Sequence, residues 1–556
     1  MHKRNKLIGV LVLIMLFGLG LRQEHGAAQT EPTDEPAFAP DRILVKTDES
    51  APAGAIESIS RQNDARVEDK LPHSRVSVID LPQDLSVREA VRRYESSPNV
   101  EYAEPDYKIQ PALSAPTPND PLFPRMYDLY NRGQSGGTFD ADVDGPEAWK
   151  DTTGGADTVV AIIDTGMDIN HKDLKDNVWT NPDEIPGNRV DDDNNNYVDD
   201  VHGWDFFNDD ASVYDGANQD THATHVAGTI AAEGNNGVGV TGVNWRARVM
   251  PLKFIGPGNI GYVSGAAAAL DYAVAEGVKI SNNSYGYYNF RCGQFDARTL
   301  HDAIGRADRA GHLVVAAAMN GGTDYVGDNI DGDDIANPAD DCPVYPASYE
   351  NPNIIAVAAS NNQDELTSFS NYGKKSVDLA APGKQIMSTF PDDKYSYGEG
   401  TSMATPHVAG AAALIKSKLP QSRDEQIKAR ILQSVDEIPS MEGKLVTGGR
   451  LNAAKALGAN TAPVILGVQP SSAIRDRTPI ISATVRDDET ELAETQIELY
   501  IDGRLKQGFI YDAPTDGLTY QSGRLSTSRH TVRVVADDGQ GLVEARTWSF
   551  TIKDRR

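Results

Sequence analysis

Basic residues are scarce in this sequence. The 556-residue chain carries 52 Lys and Arg against 81 Asp and Glu, a formal net charge of −29. That balance excludes a nucleic-acid partner, because phosphate contacts need a basic face. Cysteine is scarcer still, with Cys292 and Cys342 the whole complement. Neither lies in a nucleophile motif, and no clustered His/Cys spacing is present, which sets zinc aside. In an exported chain an even pair is expected to form a disulfide, and two buried free thiols are the alternative. Long apolar runs are missing after residue 28. The one such run, 7–21, is short for a spanning helix. It follows His2, Lys3, Arg4 and Lys6 and precedes Gly26-Ala27-Ala28, so 1–28 reads as a secretory signal, with an uncleaved anchor as the alternative. A secreted, extracellular protein is expected, with no stable membrane insertion once the signal is removed. Its acidic surface suits a soluble exported chain and leaves oxygen groups for divalent cations.

Four segments follow from the texture of the chain: 1–28, 29–112, 113–459 and 460–556. Residues 31–40 are rich in Pro, Glu and Ala and read as a linker. Strand patterns at 42–46, 74–81 and from Val100, with a helix opened by Ser86 and Glu89 as a capping box, make 29–112 a small α+β unit. A proline-broken link spans 111–118. Continuous apolar runs at 158–163, 312–318 and 354–359 read as buried parallel strands, and 265–276 as a helix, giving a doubly wound α/β layer fold over 113–459. From Thr461 short strands alternate with turns at Asp502-Gly503 and Asp538-Gly539, which predicts an immunoglobulin-like β-sandwich.

Residues 400–410 read Gly-Thr-Ser-Met-Ala-Thr-Pro-His-Val-Ala-Gly. Ser402 sits in a tight turn opening an apolar helix, and Pro406 is expected in the first helical turn. A helix start offers free N–H groups and a positive dipole end, which suits a nucleophile whose substrate develops an oxyanion. A serine hydroxyl needs a base, and the base needs an orienting group. Asp164 closes the run at 158–163, at the carboxyl end of a parallel strand, where such folds place function. Asp168 competes from the following loop. His222 opens His-Ala-Thr-His-Val-Ala-Gly-Thr, in which His225 reads as a packed helix residue. Asn320 follows the strand pattern at 314–318.

These motifs resemble those of the subtilisin-like serine peptidases, over 41–458. The resemblance implies an endopeptidase acting through an acyl-enzyme. Asp164 would orient His222 as base, Ser402 would attack, and the Asn320 amide would hold the oxyanion. Ser284, Tyr285 and Gly286 would pair with extended substrate and wall the pocket for the residue before the cut bond. The chain departs from the family at Ala223, Tyr287 and Met319, where glycine is usual. Met319 and Tyr287 together predict a shallow pocket for small or medium side chains. Pro-Asn-Val-Glu-Tyr-Ala-Glu-Pro at 98–105 resembles the family's propeptide domain, a folding template and temporary inhibitor. The expected partners are protein or peptide substrates and the chain's own propeptide, around a monomer.

Oxygen side chains alternate through Asp191, Asp193 and Asn195, the first three ligand positions of a calcium loop, with the Tyr197 carbonyl and Asp200 following. His202 takes the closing glutamate position, so this is no EF-hand. It resembles an acidic insertion of some of these peptidases and predicts structural calcium, against a plain solvated loop. Asp173 matches a further calcium position of the family. Asp328 to Asp334 reads as solvated. An aspartic peptidase needs two catalytic carboxylates, and no second Asp-Thr-Gly accompanies 164–166. A sedolisin-type peptidase uses a glutamate base where this chain offers His222. A weakly active or inactive scaffold that binds through its C-terminal β domain remains the alternative class.

Overall fold

The computed structural model describes residues 38–48, 50–71, 74–82, 85–107, 116–288, 297–322, 324–332, 342–487, 490, 492–539 and 542–553. The signal 1–28, most of the linker, part of the 111–118 link, and Cys292 lie outside these residues. The described residues fall into two compact units, one within 22–114 and one from 115 onward.

The smaller unit runs strand, helix, strand, strand, helix, strand. Its four antiparallel strands lie in the order Arg66–Lys70, Val76–Asp80, Phe38–Thr47, Val100–Tyr107. Ile43, Val45, Ile79, Ala90 and Tyr94 fill the space between sheet and helices. Ser86 caps the second helix, Val87–Glu95, by accepting the Glu89 N–H, as expected from sequence.

The larger unit is built on a nine-stranded sheet. From one edge the strands are Asp436–Glu437, Gly449–Arg450, Leu379–Pro382, Ile354–Ser360, Leu313–Ala317, Ile280–Asn283, Val159–Asp164, Arg248–Lys253 and Trp204–Asp205. All pairings are parallel except that of the first strand. The strands are apolar on both faces because helices cover both. On one face lie the helices Thr221–Ala231 and Thr401–Lys418, on the other Val263–Ala275 and Arg298–Arg309. The winding direction reverses between Val159–Asp164 and Ile280–Asn283, which are neighbours but are separated in sequence by two strands placed on the other side. A crevice opens at the carboxyl ends of strands at such a reversal.

After residue 461 two four-stranded antiparallel sheets face each other. Alternate residues such as Ile481, Val485, Leu499, Ile501, Val532 and Val534 point into one shared core. Among the described residues no helix is long and apolar enough to cross a membrane.

Candidate active site

Asp164 is the last residue of its strand and is fully buried. His222 is the second residue of the helix Thr221–Ala231. The two side chains meet, with His222 Nδ1 2.8 and 3.0 Å from the Asp164 carboxylate oxygens. Nδ1 must carry the proton in that contact, which leaves Nε2 as the bare nitrogen. Nε2 is buried and has no hydrogen-bond partner. Burial pulls the imidazole pKa down, but the Asp164 charge and hydrogen bond outweigh it, so His222 lies above its ordinary value. The methyl of Ala223 is fully buried without disturbing this geometry. Its N–H donates to Thr165 Oγ1 at 3.0 Å, tying the two segments together. Among the described residues His225 meets no carboxylate. Its Nε2 faces the carbonyls of Ile386 and Ser396, and burial lowers its pKa to about 4, so it is a neutral packed residue.

Ser402 is the second residue of the helix Thr401–Lys418. Pro406 lies inside that helix, one turn later than sequence reasoning placed it. A proline there has no N–H to give to the carbonyl four residues back, which is that of Ser402. Ser284 Oγ donates to this freed carbonyl at 2.9 Å, and Ser402 Oγ donates to the Ser284 carbonyl at 3.2 Å. The pair is reciprocal, and it parks the Ser402 hydroxyl beside the segment 284–286. Asn320 Oδ1 accepts from the Thr401 N–H at 3.0 Å, so the amide group stands beside the start of the serine helix. Tyr285 packs edge-on against Phe254. Tyr287, expected to narrow the pocket with Met319, lies among tyrosines. It pairs with Tyr345, and its hydroxyl meets Tyr349 at 3.1 Å and accepts from the Ala297 N–H.

Sequence reasoning missed Lys253. Strand register sets it beside Asp164, and its side chain is fully buried. Its ammonium donates to Asp220 at 3.0 Å and Asp215 at 2.5 Å, with Asp205 at 3.8 Å. Burial works against the charge, yet these carboxylates hold the lysine pKa above its ordinary value. Asp220 directly precedes the His222 helix and also accepts the Gly166 N–H at 2.9 Å. A Cβ on Gly166 would fall 2.6 Å from Asp220, so only glycine permits this approach. The ion cluster thus fixes the backbone on both sides of the Asp164–His222 pair. The one sequence signal is a lysine ending an otherwise apolar strand.

The expected metal residues divide. Asp191 accepts the N–H groups of Asn195 and Asn196, so it shapes the loop. Asn195 donates to Asp193, Asp200 and Glu276, and the Tyr197 ring packs among Trp204, Phe206 and Tyr272. The three groups that converge are Glu184, Asp193 and Asp200, with ligand oxygens within 4.8 Å of one another. Asp173 lies in a different place, where Asn236 Nδ2 and the Val240 N–H satisfy it.

A buried carboxylate orienting an imidazole, and a serine at a helix start with an amide close to that start, are the parts of a serine hydrolase of the acyl-transfer kind. Comparison with known proteins agrees. The subtilase family (Peptidase_S8) matches residues 155–462, and the fervidolysin N-terminal prodomain matches residues 25–106. The chain is 35% identical to the thermophilic serine proteinase of Bacillus sp. (strain AK1), over 67% of this chain and 76% of that protein. It is 35% identical to thermitase of Thermoactinomyces vulgaris, over 61% of this chain and 99% of that protein. The major intracellular serine protease of Bacillus subtilis (strain 168) is 39% identical over 49% of this chain and 72% of its own length. The chain belongs to the subtilase family and is a serine endopeptidase made with a propeptide.

Because Asp164 raises the His222 pKa, and the base must be neutral to act, the acid limb of kcat/KM is expected above the ordinary histidine value of about 6.5. Asp164→Asn removes the raising charge. It is expected to move that limb to lower pH and to cut kcat by about ten-thousand-fold, checked by pH-rate profiles. Lys253→Met strands buried Asp220 and Asp205 without their cation. A loss of about 3–5 kcal/mol is expected in denaturant melts, with Lys253→Arg closer to wild type.

Proposed function

We propose that Asp164, His222 and Ser402 form the catalytic triad and Asn320 the oxyanion donor of a secreted, calcium-stabilised endopeptidase. The carrying observation is the His222 tautomer, with Nδ1 held by Asp164 and Nε2 bare in a buried site. Ser402 turns from the Ser284 carbonyl toward Nε2 and attacks the peptide carbonyl carbon as the proton passes to His222. Asp164 stabilises the imidazolium. The oxyanion takes hydrogen bonds from the Asn320 amide and the serine helix start, worth about 3–4 kcal/mol for one such donor. The leaving amine takes the proton from His222, and water then releases the acyl group by the same steps reversed. Ser284, Tyr285 and Gly286 receive the substrate backbone. Residues 1–28 serve as signal, 29–112 as inhibitor and folding template, 113–459 as the peptidase and 460–556 as an appended β domain. Export rests on the signal-like start, and the protein acts as a monomer.

The Glu184, Asp193 and Asp200 cluster fits calcium. Its donors are hard oxygens, Asp200 is fully buried, and Glu184 Oε2 is buried without a partner. Among the described residues no Lys or Arg pairs with these three, so a divalent cation supplies the missing charge. The Cys292–Cys342 disulfide belongs to this reading as well, and Cys342 is not a free thiol.

Intact mass of the secreted protein, wild type beside Ser402→Ala, tests the reading. Loss of about 110 residues in the wild type alone is expected, and equal trimming of both would assign maturation to another protease. An organophosphonate is expected to label Ser402, and an unlabelled protein would return the chain to a binding role. Chelation is expected to lower Tm by several degrees. Glu184→Gln should shrink the calcium increment, which reaches about 2.7 kcal/mol at a hundredfold excess over Kd.

A further inference from the structure

We propose that Met319 stoppers the subsite for the residue on the acyl side of the cut bond, so that this peptidase cuts after Gly, Ala or Ser. The inference rests on the peptidase reading of Ser402. Strands Ile280–Asn283 and Leu313–Ala317 are parallel neighbours, with Asn283 opposite Ala316. Past their carboxyl ends the chain continues as 284–286 and 318–320, and these two segments wall the crevice. Ser284 holds the nucleophile on one wall, and Asn320 stands at the serine helix on the other. An acyl carbon bonded to Ser402 Oγ, with its oxygen toward Asn320, must send its own side chain between those walls.

That space holds the Met319 side chain. A Cβ built on Gly286 would fall 2.9 Å from Met319 Cγ and 3.2 Å from its Sδ, so the thioether lies against the bare face of Gly286. The Tyr345 carbonyl, 3.0 Å from the same point, closes the remaining side. Met319 is 3% exposed and also touches the small cluster of Ala318, Ile330, Val344 and Ala347. Its φ is +66°, a left-handed backbone that glycine adopts freely and methionine does not. Substitution by glycine therefore relieves backbone strain while it empties the space. Tyr287 is held by Tyr345 and Tyr349, which leaves Met319 as the residue that sets the depth.

Blocked tetrapeptide anilides that differ only in the last residue, Ala or Phe, test this on the mature enzyme. Wild type is expected to favour Ala by at least tenfold in kcat/KM. Met319→Gly should raise the ratio of kcat/KM for Phe over that for Ala by about 10- to 200-fold, the range of one extra apolar group in a pocket. Met319→Ala should fall between and guards against a folding failure of the glycine variant. Wild-type preference for Phe, or an equal change for both substrates, overturns the inference and makes Met319 a core filler. Organophosphonate labelling of Ser402 in each protein separates the cases. A labelled enzyme that prefers Phe sinks this inference alone, and an unlabelled one sinks the peptidase reading with it.

Discussion

Four groups of the site hang from the carboxyl end of the parallel sheet. Parallel strands all end on the same side, so Asp164, Lys253, Ser284 and Asn320 reach the crevice by the same geometric rule. The rule alone does not bring Ser402 there, because Ser402 is on a helix. A missing hydrogen bond does. Pro406 cannot donate, the Ser402 carbonyl is left open in the helix, and the Ser284 hydroxyl takes it. A buried carbonyl without a partner costs about 1–3 kcal/mol, so the gap in the helix becomes a specific attachment to the sheet. The same two residues exchange a second hydrogen bond through the Ser402 hydroxyl. The hydroxyl therefore rests on the segment that follows the strand Ile280–Asn283. The attachment through the backbone carbonyl survives a rotation of the hydroxyl, and only the weaker, longer contact is given up.

The buried charges near the catalytic pair follow a related logic. In the proposed triad Asp164 would stabilise an imidazolium that appears only during reaction, and its cost of burial is met by the Thr165 N–H and the His222 Nδ1–H. Lys253 and its carboxylates are charged throughout, and their work is positional. They join the loop after Asp164 to the start of the His222 helix, with Gly166 and Asp220 54 positions apart in sequence. Replacing a lysine-carboxylate cluster by apolar packing is often harmless to stability. Here it would also release two backbone segments whose spacing sets a 2.8 Å contact.

The layered fold was legible because buried parallel strands read as continuous apolar runs, such as 158–163. The residues of the candidate triad were legible because each sits in a dense local motif. What sequence did not reveal depends on register or on distance along the chain. Lys253 gains its meaning only when its strand aligns with that of Asp164. Glu184 lies outside the acidic run and joins Asp193 and Asp200 only through the fold of the loop, whereas Asp191, which fitted the spacing rule, is spent on backbone N–H groups. Tyr287 stood at a pocket position by sequence, and a two-residue antiparallel pairing with Val344–Tyr345 drew it into a cluster of tyrosines. Pro406 was placed a turn too early because helix starts are poorly defined by small residues alone.

The acidic excess of the chain is dealt with in two ways, and the difference has consequences for stability. Lys253 offsets part of the charge of Asp205, Asp215 and Asp220 from within. Arg450, 2% exposed, pairs with Asp364 and Asp436 and reaches the Asp140 carbonyl, beneath Asp142 and Asp144. Burial pushes Asp142 up to about 8 and Asp144 up to about 6, so that this region can also shed charge by holding protons. Each of these two clusters carries a buried cation of its own. The Glu184, Asp193 and Asp200 cluster has no such internal cation among the described residues. Its three carboxylates repel one another, and hard oxygens so placed suit a proton or a divalent ion. The catalytic pair is thus held by charges the chain carries itself. The acidic loop is remote in sequence from Ser402 and shares no residue with the Lys253 cluster that holds the segments on either side of Asp164 and His222.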